Sequence, residues 1–578
     1  MQQGSRKHAT HTVLGLTSIP QVAVCATCLL RRAGMIVILI LPLLLAQCRA
    51  PNPAPEISPT AAAESRAVTP RVSADLTASG TSQTLTPSLA PLAASAMPPP
   101  QLTSTPNATP TAQPTSTSTT TPTSATTPTP APVSAGRLWP RGQVWGMQFA
   151  LDNWPGWVAD VAAELPRGRE LGLSAVRANL DWDDVEPANT TPDHFDWAAT
   201  DRRLRTYSAA GFDVLLTLVA YPKWATVYGC GYGLQPGMEV EWRQFVRAAA
   251  ERYSRPPYRV TAWEIGNEVD GKTRVDEADR QRPEGLGRGE PTFPFGGCWG
   301  DRPAEYKEFL RMAYEEIKAV DAQAIVTNAG LAYVFGLDNF HPDFLEGLLA
   351  AGGGAYFDVL NFHWFPDVGN QPSGPEKVAR LAATLARHRQ RKPLWLTETY
   401  RLTFPGDSWG DGRQVQFLTK DLVAVLANPD VKRVYWFGWV DFAPQFKQPT
   451  DNDRGIVTFD HQPKPALPVL GQVVRFTDGK PEDISTADVT AYRFRPAAKG
   501  EWTAIAWSRT GGQVKWMLPV EGATQVKVTR FPADELQAGR CCSVSEVAVD
   551  SGQVAGGQVE VDVGSDAVFV RVGQAGAP

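Results

Sequence analysis

From about position 137 onwards, short apolar runs rich in β-branched residues alternate with amphipathic segments. In those segments apolar residues recur at i, i+3, i+4 and i+7, which predicts helices; examples are Trp242 to Tyr253, Phe309 to Val320 and Val415 to Leu426. The apolar runs are predicted as strands: Val144–Phe149, Ala175–Asn179, Val214–Val219, Val260–Ile265, Ala324–Asn328, Val359–Phe362, Leu394–Thr397 and Val434–Phe437. Eight strands alternating with helices favour an α/β fold, a (β/α)8 TIM barrel over positions 136–470. A doubly wound parallel sheet is the alternative, but no GxGxxG motif or P-loop follows any strand.

After Pro468 the pattern becomes purely strand-like. Six runs between Gly- and Asp-rich turns are predicted as strands: Val489–Arg495, Trp502–Ser508, Val514–Leu518, Gln525–Phe531, Val559–Val563 and Val568–Val572. They predict a small all-β sandwich domain over positions 471–578. We favour a packing role against the barrel over a separate binding module.

The N-terminal part of the chain predicts export. Arg31 and Arg32 precede an apolar run over positions 35–46, the order of a secretion signal, and that run is too short to span a bilayer. The following Leu45-Ala46-Gln47-Cys48 resembles a bacterial lipoprotein processing site, with Cys48 as the acylated residue. Cleavage near Ala46 is the alternative, because Gln47 is larger than the residue usual before that cysteine. Positions 1–50 therefore predict an extracellular or cell-surface protein, with a membrane tether if Cys48 is lipidated.

Positions 51–135 consist mostly of Pro, Thr, Ser and Ala, with five charged residues and no aromatic residue. Such a segment buries too little apolar surface to offset its conformational entropy, so it predicts a disordered linker.

Charge and composition narrow the function classes. Among 578 residues, 55 Lys and Arg stand against 60 Asp and Glu, a net charge of -5, which gives no electrostatic basis for binding nucleic acid. Seven His with no HExxH motif argue against a zinc site. The 18 Trp suggest surfaces that stack on flat ligands.

Two glutamates follow predicted barrel strands. Strand four ends in Trp263-Glu264-Ile265-Gly266-Asn267-Glu268, and strand seven ends in Trp395-Leu396-Thr397-Glu398. Strands four and seven of a closed barrel face each other across its mouth, where the chemistry of this fold takes place. Two facing carboxyls supply the acid and the anion that cleavage of a glycosidic bond requires.

These motifs resemble those of clan A glycoside hydrolases, nearest to family 39, with family 5 close behind. The resemblance covers roughly positions 145–465. It implies that Glu268 is the acid/base, that Glu398 is the nucleophile, and that Asn267 binds the sugar 2-hydroxyl.

The same resemblance extends to three further residues. Arg177 corresponds to an arginine on strand two that braces the nucleophile, and a surface arginine at a strand end is the alternative. His363 corresponds to a histidine near the reacting sugar, and a structural histidine is the alternative. Trp439 is the candidate sugar platform after strand eight; Trp436 competes for that role, and a core tryptophan is the other alternative.

One position departs from the pattern of the clan. Phe365 stands where a tyrosine often hydrogen-bonds the nucleophile, so either Tyr400 or Tyr333 supplies that hydroxyl or the nucleophile is tuned differently. Phe365 is the one feature that favours a non-catalytic carbohydrate-binding barrel.

The resemblance implies a retaining glycosidase that acts on β-linked oligo- or polysaccharides without a metal or organic cofactor. An envelope transglycosidase using the same pair of glutamates is a further alternative. Because export permits disulfides, Cys230 and Cys298, on two loops that rim the same face of the barrel, are expected to form a bridge. The adjacent Cys541 and Cys542 remain either free, paired elsewhere or joined in a strained bridge.

Overall fold

The computed structural model describes these parts of the chain: 145–149, 161–226, 233–271, 299–300, 302–332, 340–367, 371–403, 410–443, 453–496, 500–520, 522–532, 536, 543–547 and 554–574. The predictions for the export segment, the linker and several single residues lie outside the described residues. Those residues are Cys48, Cys230, Cys298, Tyr333, Cys541 and Cys542.

Eight parallel strands form one sheet whose order is β5-β4-β3-β2-β1-β8-β7-β6. Isolated parallel bridges from Thr327 to Val359 and from Leu331 to Phe362 join the two ends of this order and close the sheet into a barrel. All eight strands fall where the sequence predicted them, and the prediction of a TIM barrel is confirmed. The strands are β1 (Trp145–Gln148), β2 (Ala175–Asp181), β3 (Asp213–Val219), β4 (Val260–Asn267), β5 (Ile325–Gly330), β6 (Leu360–Trp364), β7 (Leu394–Thr399) and β8 (Val431–Phe437).

The barrel interior is layered. One layer is a separate apolar cluster from β2 to β8: Ala175, Leu215, Ala262, Ile325, Val359, Trp395 and Tyr435. Side chains alternate between the two faces of a strand, so residues two positions further on share the same face. Those residues are Arg177, Thr217, Glu264, Thr327, Asn361, Thr397 and Phe437. An apolar layer is thus followed, toward the carboxyl ends of the strands, by a layer that is mostly polar.

Helices cover the outside of the barrel. Their inward faces carry the apolar residues whose periodicity predicted them, and Trp242, Phe245 and Val246 of the fourth helix are buried. The run from Val415 to Leu426 is helical, with a π-helical stretch over Phe417–Asp421. The α-helices are α1 (Leu165–Glu170), α2 (Trp182–Val185), α3 (Ala198–Ala209), α4 (Glu239–Tyr253), α5 (Pro303–Val320), α6 (Phe344–Ala350), α7 (Gly374–Arg387), α8 (Gly410–Gln416), α9 (Leu422–Leu426) and α10 (Ala466–Phe476). Among the described residues, no helix is both long and apolar enough to cross a membrane.

The C-terminal part is all-β, as predicted. It contains a six-stranded sheet of order β14-β13-β17-β11-β10-β9 and a three-stranded sheet of order β12-β16-β15. Residues of both sheets form one apolar cluster. The helix α10 runs through position 470, where the sequence placed the domain boundary, and the first strand after it begins at Lys480. The strands are β9 (Lys480–Asp483), β10 (Val489–Arg495), β11 (Glu501–Ser508), β12 (Val514–Pro519), β13 (Ala523–Arg530), β14 (Ser543–Val547), β15 (Val554–Ala555), β16 (Gln558–Val563) and β17 (Val568–Gln574).

The central strands β11 and β17 of the six-stranded sheet are buried on both faces. On β11, Ile505 belongs to the cluster that includes the barrel core, while Ala504 and Ala506 belong to a second cluster shared with the smaller sheet. On β17, Phe569 likewise joins the barrel cluster, and its ring meets the Phe476 ring edge-on at 5.2 Å. The period-two alternation of the strands therefore forms both the sandwich core and the contact with the barrel.

We predict that Phe569→Ala lowers the free energy of unfolding of the full chain by about 3 kcal/mol, because removing a buried aromatic ring leaves a cavity. Urea denaturation followed by tryptophan fluorescence measures this. Met517→Ala, at a 45% exposed position of β12, is the control and is expected to change stability by less than about 0.5 kcal/mol. Equal midpoints for the two variants would contradict a packing role for this face.

Candidate active site

A buried guanidinium lies at the centre of the polar layer. Arg177 uses all of its N–H groups. Its Nε and Nη2 donate to the two oxygens of Glu264 at 2.7 and 3.0 Å, and Nη2 also donates to Asn267 Oδ1 at 2.7 Å. Its Nη1 donates to Gln148 Oε1 at 3.1 Å and to Glu398 Oε2 at 2.9 Å. Burial by itself lowers the pKa of Arg177, but the charges of Glu264 and Glu398 raise it above its usual value. Arg177 therefore remains a cation and fixes three strand ends relative to one another.

Glu264 completes the support beneath this cation. It is fully buried, and it also accepts hydrogen bonds from Thr217 Oγ1 at 2.8 Å and from the Gly330 backbone N–H at 2.9 Å. A buried carboxylate is costly unless it is paired and hydrogen-bonded, and both of its oxygens are. Glu264 was not among the candidates from the sequence. Its position two residues after Ala262, which points into the barrel from β4, was a signal that its side chain also points inward.

The chain turns sharply at the end of β4. Gly266 and Glu268 have φ values of 89° and 45°, and a left-handed φ is costly for a residue with a side chain. The Glu268 backbone N–H donates to Gly330 O at 3.0 Å, which holds the turn against β5. This turn brings the buried Glu268 Oε1 to 3.1 Å from His363 Nδ1.

Glu398 approaches the same histidine from β7. A register shift pairs Phe362 with Leu396 but His363 with Glu398, so one extra residue of β7 is accommodated there. Glu398 Oε2 lies 3.8 Å from His363 Nδ1. Because Glu268 Oε1 lies 3.1 Å from that nitrogen, the two carboxyl oxygens are at most 6.9 Å apart.

The two carboxyls differ in their electrostatic surroundings. Burial and the negative charges of Glu398 and Asp270 raise the pKa of Glu268 well above its usual value. Burial also raises the pKa of Glu398, to about 7, but the cations of Arg177 and Arg454 oppose this rise. The cations beside Glu398 favour its ionised form, whereas the negative charges of Glu398 and Asp270 favour the protonated form of Glu268.

His363 is neutral in this environment. Burial, followed by the charges of Arg177 and Lys377, lowers its pKa well below the usual value. A methyl group on Gly330 would clash with His363 Nε2, so glycine is required for the close approach of β5. A neutral imidazole can exchange a hydrogen bond with Glu268 without adding charge to the site.

Lys377 is a second residue that sequence reasoning missed. It is fully buried on the inward face of α7, and its Nζ donates to Ala332 O at 2.7 Å. Burial lowers its pKa to about 7, against the opposing effect of the Asp270 and Glu268 charges. The sequence signal for a buried lysine was its place on the same side of an amphipathic helix as the apolar residues Val378 and Leu381.

Phe365 lies beside the network as an aromatic packing partner. Its ring meets His363 edge-on and stacks on Tyr400 at 4.7 Å. Burial raises the pKa of Tyr400 to about 12, and the charges of Glu398 and Glu268 contribute to the rise while Arg454 opposes it. Tyr400 therefore lies in the electrostatic field of both carboxyls, while the other hydroxyl considered from the sequence, that of Tyr333, lies outside the described residues.

Among the described residues, no hydrogen bond joins the Trp439 side chain to this network, although its backbone N–H donates to Gln148 O at 3.1 Å. Its ring stacks on Phe149 at 4.9 Å, its Nε1 donates to Glu164 Oε2 at 3.3 Å, and the residue is only 1% exposed. Trp436 is also buried and donates to Arg454 O. Five of the six candidate residues from the sequence therefore meet at one place: Arg177, Asn267, Glu268, His363 and Glu398. The sixth, Trp439, has its ring covered by protein.

Comparison with known proteins shows the fold of this chain. No family model matches it, and no curated protein matches it. Solved structures do match: a family 39 glycoside hydrolase from the gut symbiont Bacteroides cellulosilyticus WH2, at 17% identity over 75% of this chain and 81% of that chain, has a TM-score of 0.52. A glucosidase from Croceicoccus marinus, at 15% identity over 75% and 96%, has a TM-score of 0.51. The catalytic domain of GH30 xylanase C from Talaromyces cellulolyticus, at 14% identity over 76% and 98%, has a TM-score of 0.52. At such identities the likeness establishes a common architecture.

We predict that Glu268→Gln stabilises the full chain at pH 7 and not at pH 4. The folded-state pKa of Glu268 is raised above its usual value of 4.5. The protonated carboxyl therefore contributes to stability below about pH 4.5, and this contribution is lost as the pH rises through the folded-state pKa. Gln carries no charge to bury. Thermal melts are expected to show a Tm about 2 °C higher at pH 7 and no difference at pH 4.

Glu170→Gln, at the exposed end of α1, is the matched control and is expected to leave Tm unchanged at both pH values. A lower Tm for Glu268→Gln at pH 7 would refute the electrostatic assignment of this carboxyl.

Proposed function

We propose that the chain is a retaining glycoside hydrolase that cleaves β-linked oligo- or polysaccharides. The single observation that carries this proposal is the placement of Glu268 and Glu398 around His363 Nδ1, at 3.1 and 3.8 Å. Retaining enzymes hold their two carboxyls about 5–5.5 Å apart, and inverting enzymes about 6.5–9.5 Å apart. The upper limit of 6.9 Å between these two oxygens is compatible with the shorter separation and supports the proposal of retention.

In the first step, Glu398 attacks the anomeric carbon of the sugar. The carbon–oxygen bond to the leaving group breaks as Glu268 donates its proton to that oxygen, which leaves as an alcohol. The short ion pair between Arg177 and Glu398 favours the ionised form of the nucleophile. The raised pKa of Glu268 keeps the acid protonated until it is used.

In the second step, Glu268 is the base. It takes a proton from a water molecule, the water oxygen attacks the anomeric carbon, and the bond to Glu398 breaks. We assign Asn267, held by Arg177 Nη2 at 2.7 Å, to the sugar 2-hydroxyl. Two successive inversions return the anomeric carbon to its starting configuration.

Similarity in fold supports the same reaction class. Three of the matched structures with TM-scores above 0.5 are described as a glycoside hydrolase, a glucosidase and a xylanase. A fold hosts many functions, so the proposal depends on the site geometry rather than on this likeness.

We also propose that the chain is exported, on the basis of the signal-like segment at positions 31–46. Lipidation at Cys48 would then tether it to the membrane.

We predict that Glu398→Ala reduces cleavage of aryl β-glycosides to the background rate, because no anion is left to form the glycosyl-enzyme. Glu268→Ala is expected to lower the rate about 10²- to 10⁴-fold, the usual contribution of general acid–base catalysis. Adding sodium azide distinguishes the roles: Glu268→Ala should yield a β-glycosyl azide, and Glu398→Ala an α-glycosyl azide. The azide products are identified by proton NMR.

Glu170→Ala is the control and should retain full activity. Equal rates for the natural chain and Glu398→Ala across a panel of aryl β-glycosides would remove the hydrolase proposal and favour a carbohydrate-binding barrel.

We predict that Arg454→Met moves the acidic limb of the kcat/KM profile to higher pH. The Arg454 charge lowers the pKa of Glu398, so its removal raises that pKa, and less nucleophile is ionised at a given acidic pH. At about pH 5 we expect a loss of roughly twofold to fivefold relative to the maximum of each profile. Arg454→Lys keeps the cation and should restore the natural limb; an unshifted limb in Arg454→Met would contradict this electrostatic role.

A further inference from the structure

Three carboxylates converge outside the proposed catalytic network. Glu186 follows α2, Asp193 lies in the connection to α3, and Glu241 is in the first turn of α4. One oxygen from each residue lies within 4.8 Å of the others. Because these segments follow β2 and β3, the cluster lies at the same end of the barrel as the candidate active site.

Glu186 has one oxygen without a partner. The residue is only 1% exposed, and its Oε2 accepts a hydrogen bond from Trp182 Nε1 at 2.8 Å. Its Oε1 is buried, with no hydrogen-bond partner in the described part of the chain. An unpartnered buried carboxylate oxygen is costly, so this oxygen is available to a ligand.

The charges around Glu186 have the same sign. Oxygens of Asp193 and Glu241 lie within 4.8 Å of a Glu186 oxygen, so three acidic groups meet at one point. A positive ion among the three carboxylates would reverse this balance, since a bound divalent cation dominates the local field.

Gln244 adds a polar group at the same place. The terminal amide atom of its side chain that faces the cluster lies 3.3 Å from Asp193 Oδ2 and 3.0 Å from Glu241 Oε2. With its NH₂ group there, the amide donates to both carboxylates but leaves Glu186 Oε1 without a partner. With its carbonyl there, the amide provides a fourth oxygen directed at the cluster.

We propose that Glu186, Asp193 and Glu241 form a Ca²⁺ site. Ca²⁺ binds six to eight oxygens at about 2.3–2.6 Å, so oxygens on opposite sides of one ion lie about 5 Å apart, which fits the spacing of these carboxylates. An all-oxygen donor set with no His or Cys suits this class of hard cation. Water molecules, or the Gln244 carbonyl if it faces the ion, would supply the remaining oxygens.

Such a site would join two segments at the mouth of the barrel. The backbone oxygen of Glu186 accepts a hydrogen bond from Trp224 Nε1 at 3.1 Å, after β3. Bound Ca²⁺ would fasten the segment that follows β2, the strand of Arg177, to the start of α4. The site does not depend on the proposed glycosidase activity.

The test begins with the full chain stripped of cations by EDTA and then titrated with Tb³⁺. Because Trp182 donates to Glu186, excitation of tryptophan is expected to sensitise Tb³⁺ luminescence, which Ca²⁺ then displaces. In thermal melts, about 5 mM CaCl₂ should raise Tm by about 3 °C if the Kd is near 10⁻⁴ M.

Glu186→Gln keeps the acceptor for Trp182 but removes the charge, and it should abolish both the luminescence and the Tm shift. Glu239→Gln, in the same first turn of α4 but outside the cluster, is the matched control and should retain both. Asp193→Asn provides a second variant that leaves the buried carboxyl intact and should also lose both signals. A natural chain that shows neither signal, or signals that persist in Glu186→Gln and Asp193→Asn, would overturn the proposal.

Discussion

The pairing of Arg177 with Glu264 inside the barrel is the interaction on which the rest of the candidate site depends. A guanidinium presents five N–H groups in one plane, and here every one has an oxygen acceptor. Two of them are used by Glu264, whose carboxylate is fully buried, and the others position Gln148, Asn267 and Glu398. Removing either member of such a buried pair leaves an unpaired charge, which typically costs about 3–5 kcal/mol. The pair therefore fixes β1, β2, β4 and β7 in one arrangement.

The candidate site holds more acidic groups than basic ones. Glu264, Glu268 and Glu398 share one interior with a single arginine in direct contact, and burial raises the pKa values of Glu268 and Glu398. Two carboxyls that cannot both ionise at low cost divide into an acid and an anion, and their neighbours decide which is which. Here the arginine side of the site selects Glu398 as the anion. The left-handed φ of Glu268 adds a further cost, which the surrounding packing must offset.

The C-terminal sheet packs against the barrel. The six-stranded sheet contributes Ile505 and Phe569 to the cluster that contains the barrel core, and its opposite face forms the core of the sandwich. The helix α10, which connects barrel and sheet, presents Phe476 to Phe569. The C-terminal region is thereby part of the same packed unit as the strands that carry the site.

The sequence alone determined the eight barrel strands, six of the nine described C-terminal strands (all but β9, β14 and β15) and the order of Asn267, Glu268 and Glu398 along the chain. Period-two and period-3.6 patterns are local, and burial imposes them on the sequence directly. It did not reveal the roles of Glu264 and Lys377, because a charged residue within an apolar run gives no sign of its partner. Only the tertiary structure decided that the β7 register shift sets His363 beside Glu398 and that the Trp439 ring is covered by Phe149. Both depend on contacts between segments far apart in the chain, where a displacement of one residue reverses the face on which a side chain lies.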